Sequence, residues 1–229
     1  MDNLFLDSKT AVVTGSSRGI GFAITNALLE LGVTVAGWSR NAPTDFSHPN
    51  YYHFSTDIGN EQSVLESFEK AMPKLNNNID YLINNAGIGH HAFIEETPPE
   101  TWRQLFDVNV HGLFYASRLV IPVMKSSKSG HIINISSGAG TNGIPGMSAY
   151  CGTKYAVNGI TDTMHKELRN FGVKVTCLSP GSVETGFSSS DKNKILPNEL
   201  AQSVIHILRS PENFHYTDIQ VRPLQPGKK

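Results

Sequence analysis

Short apolar runs alternate along this chain with longer stretches whose apolar residues fall at helical spacing. "KTAVVTG", residues 9–15, is short, rich in β-branched residues and closed by glycine, which predicts a buried strand. "GIGFAITNALLELG" follows, with Ile20, Ile24, Ala27, Leu28 and Leu31 on one helical face and Gly32 placed to end it. "VTVAGWS" returns to strand, and "YYHFSTDI" is a weaker third. "NEQSVLESFEKAMPKL" reads as helix as far as Pro73, and "IDYLINNAG" as strand. Thr97, Pro98, Pro99 and Glu100 predict the start of one long helix through "TWRQLFDVNVHGLFYASRLVIPVM". "GHIINISS" and "VKVTCLS" are buried strands separated by a further helix. "PNELAQSVIHILRS" puts Leu200, Val204, Ile207 and Leu208 on one face, and "DIQVRP" closes the series as a strand. Repeated strand–helix–strand units predict an α/β, doubly wound, mostly parallel sheet with helices on both faces. No linker, repeat or low-complexity tract interrupts the pattern, so residues 1–229 are read as a single domain.

Composition narrows the class. The 229 residues are 39% hydrophobic and 17% charged, as in an ordinary globular protein. A net charge of -1 gives no electrostatic reason to expect nucleic acid or an anionic membrane as partner. No apolar run approaches the roughly 18 residues that a membrane span needs, and "MDNLFLDSKT" is no secretion signal. Cys151 and Cys177 form no framework and read as free thiols in a reducing compartment, hence a cytoplasmic chain. His90 and His91 are adjacent; on extended chain they face opposite sides and cannot chelate together. They read as rim residues of a cleft, and no metal is expected.

Two local patterns carry chemistry. "TGSSRGIG", residues 14–21, joins the first strand to a helix. Gly15 permits a tight turn, Gly19 lets the backbone approach a ligand, and Gly21 lets the helix pack close to the sheet. The helix N-terminus offers N–H groups to a pyrophosphate, which points to a dinucleotide. Where the second strand ends, an acid would bind the ribose hydroxyls of NAD; here stand Ser39 and Arg40, with no acid before Asp45. Arg18 lies in the glycine turn itself. Two guanidiniums can clamp a 2′-phosphate, which favours NADPH/NADP+; solvated surface arginines are the alternative. The second pattern is "SAYCGTKYAV", residues 148–157, in which Tyr150 and Lys154 lie one helical turn apart. A cation beside a phenol lowers its pKa and readies it for proton transfer; a packing tyrosine with a lysine running past it is the plain alternative.

Together these motifs resemble the short-chain dehydrogenase/reductase family over nearly the whole chain. The resemblance rests on "TGSSRGIG", on "NNAG" (Asn84, Asn85, Ala86, Gly87), on Asn109 in "FDVNVHGLF", on Ser137 thirteen residues before Tyr150, on "YCGTK", and on "PGSVET", residues 180–185. It implies a Rossmann-like seven-stranded sheet and a catalytic set of Asn109, Ser137, Tyr150 and Lys154. Tyr150 is the expected acid/base, Ser137 positions the reacting oxygen, and Lys154 also holds the nicotinamide ribose. Asn109 would hold a water linking Lys154 to solvent. The implied cofactor contacts are Gly15, Ser17, Arg18, Gly19, Ile20, Gly21, Ser39, Arg40, Asp57, Ile58, Asn84, Asn85, Ala86, Gly87, Tyr150, Lys154, Pro180, Gly181, Val183 and Thr185. Met147 and Phe187 are expected beside the substrate.

The leading function is an NADPH-dependent reductase interconverting a carbonyl and a secondary alcohol, with 3-oxoacyl compounds among the candidate substrates. A dinucleotide sensor without chemistry and an NAD-dependent alcohol dehydrogenase are the alternatives. The resemblance further implies a homodimer or homotetramer, through Phe114, Tyr115, Leu119, Val120, Val157 and Met164. "FSSSDKNKILP" predicts a flexible turn rather than a lid helix, and so a cleft more open than usual.

Overall fold

The computed structural model describes residues 6–185 and 194–225. Seven parallel strands form one sheet: β1 (Thr10–Thr14), β2 (Thr34–Ser39), β3 (Tyr51–Ser55), β4 (Tyr81–Asn84), β5 (Gly130–Ile135), β6 (Val173–Pro180) and β7 (Asp218–Val221), in the order β3-β2-β1-β4-β5-β6-β7. The connecting helices are α1 (Gly19–Leu29), α2 (Glu61–Ala71), α3 (Pro99–Phe106), α4 (Gly112–Ser127), α5 (Ser148–Leu168) and α6 (Pro197–Leu208). β1 is entirely buried, which explains its unbroken apolar run. Alternate side chains of β1 supply the two faces. Ala11 and Val13 join the core under α1 and α6, while Val12 joins that under α2, α4 and α5.

The order reverses at β1, which pairs with β2 on one side and with β4 on the other. A crevice opens at such a point, at the carboxyl ends of the strands. The other end of β1 is tied by Asp80. Its Oδ2 accepts from the Thr10 N–H and hydroxyl, both at 2.9 Å, and its Oδ1 pairs with Lys9 at 3.0 Å.

Three expectations change. The single helix over residues 101–124 is two helices joined by a π-helical turn at Asp107–His111. The inserted turn places Asn109 inward in an otherwise apolar stretch; such turns mark functional sites frequently. β3 and β4 are shorter than their apolar runs, ending at Ser55 and Asn84. The helix residues assigned to a subunit contact mostly face the core. Val120, Val157 and Met164 are buried, Tyr115 and Leu119 pack against the same cluster, and of the six only Phe114 is exposed. Sheet and helices on this face consume more apolar side chains than one helical stripe implied. Cys151 and Cys177 are both free and buried, and no helix among the described residues is long and apolar enough to cross a membrane.

At the floor of the sheet, His131 of β5, His165 of α5 and His215 pack edge to face, with ring centroids 6.0 Å (His131–His215) and 4.6 Å (His165–His215) apart. His131 Nε2 bonds Thr176 Oγ1 at 2.8 Å. Burial, reinforced by His215 and Lys174, pushes the His131 pKa down to about 3, and burial also lowers that of His215. The folded chain therefore binds fewer protons than the unfolded chain below the ordinary histidine value. This stability is present above about pH 6.5 and is lost as pH falls from there toward 3. Urea unfolding should show a loss of about 2 kcal/mol from His131 between about pH 7.5 and 5. His131→Asn should shrink that dependence. An unchanged pH slope in the variant would show that His131 is not its source.

Candidate active site

The glycine turn is fixed by its neighbour strand. Thr14 Oγ1 accepts from the N–H groups of Asn85 and Ala86, each at 3.0 Å. Asn85 Nδ2 donates to Thr14 O at 2.9 Å and to Gly15 O at 3.3 Å. Gly15 has φ 67°, and a methyl group there would stand 3.0 Å from Ala86 Cα. A methyl at Gly21 would overlap the Gly15 carbonyl oxygen. The turn can close only with hydrogen at both positions. No side chain caps the N-terminus of α1, so its first N–H groups remain available. The loop after β6 returns to this point: a methyl at Gly19 would stand 3.3 Å from Thr185 Cγ2. The crevice thus has a floor at Gly15–Gly21 and a roof at Thr185.

The expected adenosine end is built differently from its serine–arginine reading. Ser39 is buried; its hydroxyl lies 3.3 Å from Ser16 Oγ and donates to Asn41 O at 2.9 Å. Ser16 in turn meets the Tyr51 hydroxyl at 3.2 Å. Ser39 therefore shapes the strand end. Arg18 and Arg40 are exposed, and neither lies within 4 Å of a carboxylate among the described residues. Asp57 Oδ1 accepts from the Gly59 N–H at 3.1 Å and caps its own turn, with Ile58 buried beside it. Ser17, Ile20 and Ala86 are half-buried, and Gly87 is exposed.

Asn84 and Asn85 act from below. Asn84 Nδ2 donates to Ser117 Oγ at 3.1 Å and Asn134 Oδ1 at 2.9 Å, tying β4 to α4 and β5. Its Oδ1 is buried without a partner. A cavity of about 10 Å³ lies here, lined among others by Thr14, Asn84, Asn109 and Lys154. That is about the space of one water.

The second wall is α5. Tyr150 is 9% exposed and its hydroxyl is hydrogen-bonded to the Ser137 side chain. Burial raises the Tyr150 pKa above the ordinary tyrosine value, and the Ser137 bond opposes this. The lowering expected from Lys154 does not prevail: its Nζ lies 5.8 Å from the Tyr150 ring centroid. Lys154 is itself buried, and Nζ donates to Ile135 O at 2.9 Å. Burial pushes its pKa down to about 8. Around Tyr150 packs a small apolar cluster of Leu105, Ala139, Ala149 and Cys151, joined by Ile88 and Met147. His91 lies against the Gly146 backbone, and Ala92 donates to Gly146 O at 2.8 Å, so the segment after β4 borders this wall. Pro180 ends β6, and Gly181 donates to Val221 O at 2.7 Å. Val183 is buried and bridges Ile195. Phe187 and most of the 187–197 segment lie outside the described residues.

Asn109 lines the same small cavity and makes three hydrogen bonds within the protein. Its Oδ1 accepts from the Ile88 N–H at 2.8 Å, and its Nδ2 donates to Ile88 O at 2.9 Å and to Thr153 Oγ1 at 3.0 Å. It thereby fastens the chain after "NNAG" to α5. Sequence reasoning missed a second fastener, Asn158, one turn beyond Lys154. Its Oδ1 accepts from Ser136 Oγ, and its Nδ2 donates to Gly140 O at 2.9 Å, so it holds the loop carrying Ser137 on both sides. Only its i+4 spacing from Lys154 could have pointed to it.

Known proteins share this architecture. The family model described as short chain dehydrogenase matches residues 9–195. An uncharacterised oxidoreductase of Staphylococcus aureus (strain USA300) is 34% identical over 96% of this chain and 99% of its own length. One from Staphylococcus saprophyticus is 34% identical over 94% and 96%. Among solved structures, a metagenomic short-chain oxidoreductase in complex with NADP superposes with a TM-score of 0.83 at 27% identity, covering 96% of this chain and 99% of that one. The closed form of a serine dehydrogenase complexed with NADP+ gives 0.86 at 26%, covering 93% and 94%.

Asn109→Ala should leave the Ile88 backbone groups unpaired. A stability loss of about 1–3 kcal/mol by denaturant unfolding is expected. A wild-type midpoint would show that solvent replaces the amide without cost.

Proposed function

The chain belongs to the short-chain dehydrogenase family of oxidoreductases, and we propose that it interconverts a carbonyl and an alcohol with NADP(H), Tyr150 serving as the proton-transfer group. The observation that carries this reading is the Tyr150–Ser137 hydroxyl pair beside the buried Lys154, on the wall facing the glycine turn. Sensing alone requires no buried phenol and ammonium side by side. The residues also fit a dinucleotide: the methyl-free turn, the uncapped start of α1 and the Thr185 roof form a cradle.

The bound nicotinamide would supply or accept the hydride. The chain's own residues do the rest. Gly15–Gly21 and the first N–H groups of α1 receive the pyrophosphate. Arg18 and Arg40, both without carboxylate partners among the described residues, receive the 2′-phosphate. Ser137 holds the reacting oxygen, and Tyr150 donates to it. Burial keeps the phenol protonated at neutral pH, which suits the donor role in reduction. In the reverse direction Tyr150 must lose its proton, and the Lys154 ammonium favours the resulting phenolate. The cavity joining Lys154, Asn109 and Asn84 would hold the water that returns the proton. Exposed Phe114 on α4 and Tyr155 on α5, 50% and 49% exposed, support a homodimer or homotetramer closing over these two helices.

Tyr150→Phe should bind NADPH normally and lose more than about a hundredfold in turnover of any carbonyl substrate. Near-normal turnover would remove Tyr150 from the mechanism. Replacing Arg40 with Leu and Arg18 with Ser should move preference from NADPH toward NADH, by about 10–100-fold for each charge-assisted hydrogen bond to the phosphate that is removed. A wild-type protein that already prefers NADH would sink the assignment of both arginines.

A further inference from the structure

Arg222 follows the last residue of β7 and reaches back across the neighbouring strand end. Its Nη1 donates to Ser179 O at 3.1 Å, and its Nη2 donates to Gln220 Oε1 at 3.0 Å. The guanidinium comes to rest at Gly138, the residue after Ser137. A methyl group on Gly138 would stand 3.0 Å from Nη1 and 3.2 Å from both Cζ and Nη2. Gly181 yields space as well, since a methyl there would stand 3.2 Å from the Arg222 Cδ. One residue from the loop after β5 and one from the loop after β6 thus lack side chains where this arginine passes.

The cation is held but not neutralised. Both acceptors are uncharged, Arg222 is exposed, and among the described residues no carboxylate lies within 4 Å of it. A guanidinium has five N–H donors, and these two bonds use one from each terminal nitrogen. Its direction is therefore fixed while a planar, charged edge remains free, one residue along from the proposed oxygen-holding serine. A surface arginine that served only to cap Ser179 O would need no such clearance at Gly138.

We propose that Arg222 anchors the substrate and that the substrate carries a carboxylate, so that the enzyme acts on keto acids in reduction and hydroxy acids in oxidation. The reacting oxygen would sit at Ser137 and Tyr150, and the carboxylate on the Arg222 fork. The choice of carboxylate over phosphate follows from the charge supplied. One planar fork matches the two oxygens of a monoanion, whereas a phosphate dianion calls for several cations. The proposal rests on the carbonyl–alcohol reading above. It adds an anion requirement to a cleft otherwise expected to be open and tolerant.

The test uses keto acids of graded chain length and their methyl esters, with NADPH, on the wild type and on Arg222→Gln. The wild type should prefer acid to ester by about 10–100-fold in kcat/KM, the range of one charge-assisted hydrogen bond. Arg222→Gln should raise KM for the acid by a similar factor and leave kcat/KM for the ester within about threefold. Arg222→Lys, which keeps the charge but loses the fork, should recover part of the acid preference and guards against a variant that fails to fold. Equal wild-type use of acid and ester, or an equal loss for both in Arg222→Gln, would overturn the proposal and leave Arg222 a strut on Ser179. Calorimetry of keto-acid binding in the presence of NADP+ separates the two readings. If no carbonyl compound turns over but keto acids bind the wild type and not Arg222→Gln, the anion site stands and the carbonyl–alcohol reading falls. Absence of binding together with absence of turnover overturns both.

Discussion

Lys154 places a positive charge inside the protein, where among the described residues its Nζ donates to one main-chain carbonyl, Ile135 O. No carboxylate pairs with it among the described residues. Burial of an uncompensated cation is costly, and its lowered pKa expresses that cost. The surrounding structure must hold α5 hard against the end of β5 to keep the lysine there. Ser136, Asn158 and Gly140 do so from one side, and Asn109 with Thr153 and Ile88 from the other. The Ser137 loop, the segment after β4 and the Tyr150 helix are thereby fixed relative to one another. Each can then contribute one side chain to a site that none could form alone.

Tyr150 and Lys154 respond oppositely to the same burial. Desolvation raises the phenol and lowers the ammonium, moving both toward their neutral forms. The sequence rule that a lysine one turn away acidifies a tyrosine treats the pair as if in water. At 5.8 Å from the ring, Lys154 does not overcome the loss of solvent around Tyr150. A phenol that stays protonated at rest is the natural consequence.

The strands and helices were legible because each face of the sheet imposes its own period. Ala11 and Val13 face one core and Val12 the other, so β1 reads as a continuous run. The glycine turn and the Ser137–Tyr150–Lys154 set were legible because their spacing is local or fixed by one loop. The π-helical turn was not, since a single inserted residue leaves too weak a mark on a helical pattern that is apolar on more than one side. The surplus apolar residues of α4 and α5 misled for the same reason: Val120, Val157 and Met164 serve the core. Asn158, Ser16 and Arg222 escaped because each is tied to another strand or loop 18 to 43 residues distant in the chain.

The strand order also dictates when the site can exist during synthesis. β1 and its glycine turn leave the ribosome first, but Asn85, which locks the turn, follows about 70 residues later. The Tyr150 helix follows after that, and Arg222 reaches Ser179 only when the last strand pairs with β6. Such distant pairings fold slowly, because the chain must close long loops before the contacts reward it. A nascent chain therefore carries a glycine turn without a lock until β4 has emerged, and an unpaired β6 edge until β7 has emerged. The crevice beside the glycine turn is completed late, although it is begun at the first strand of the sheet.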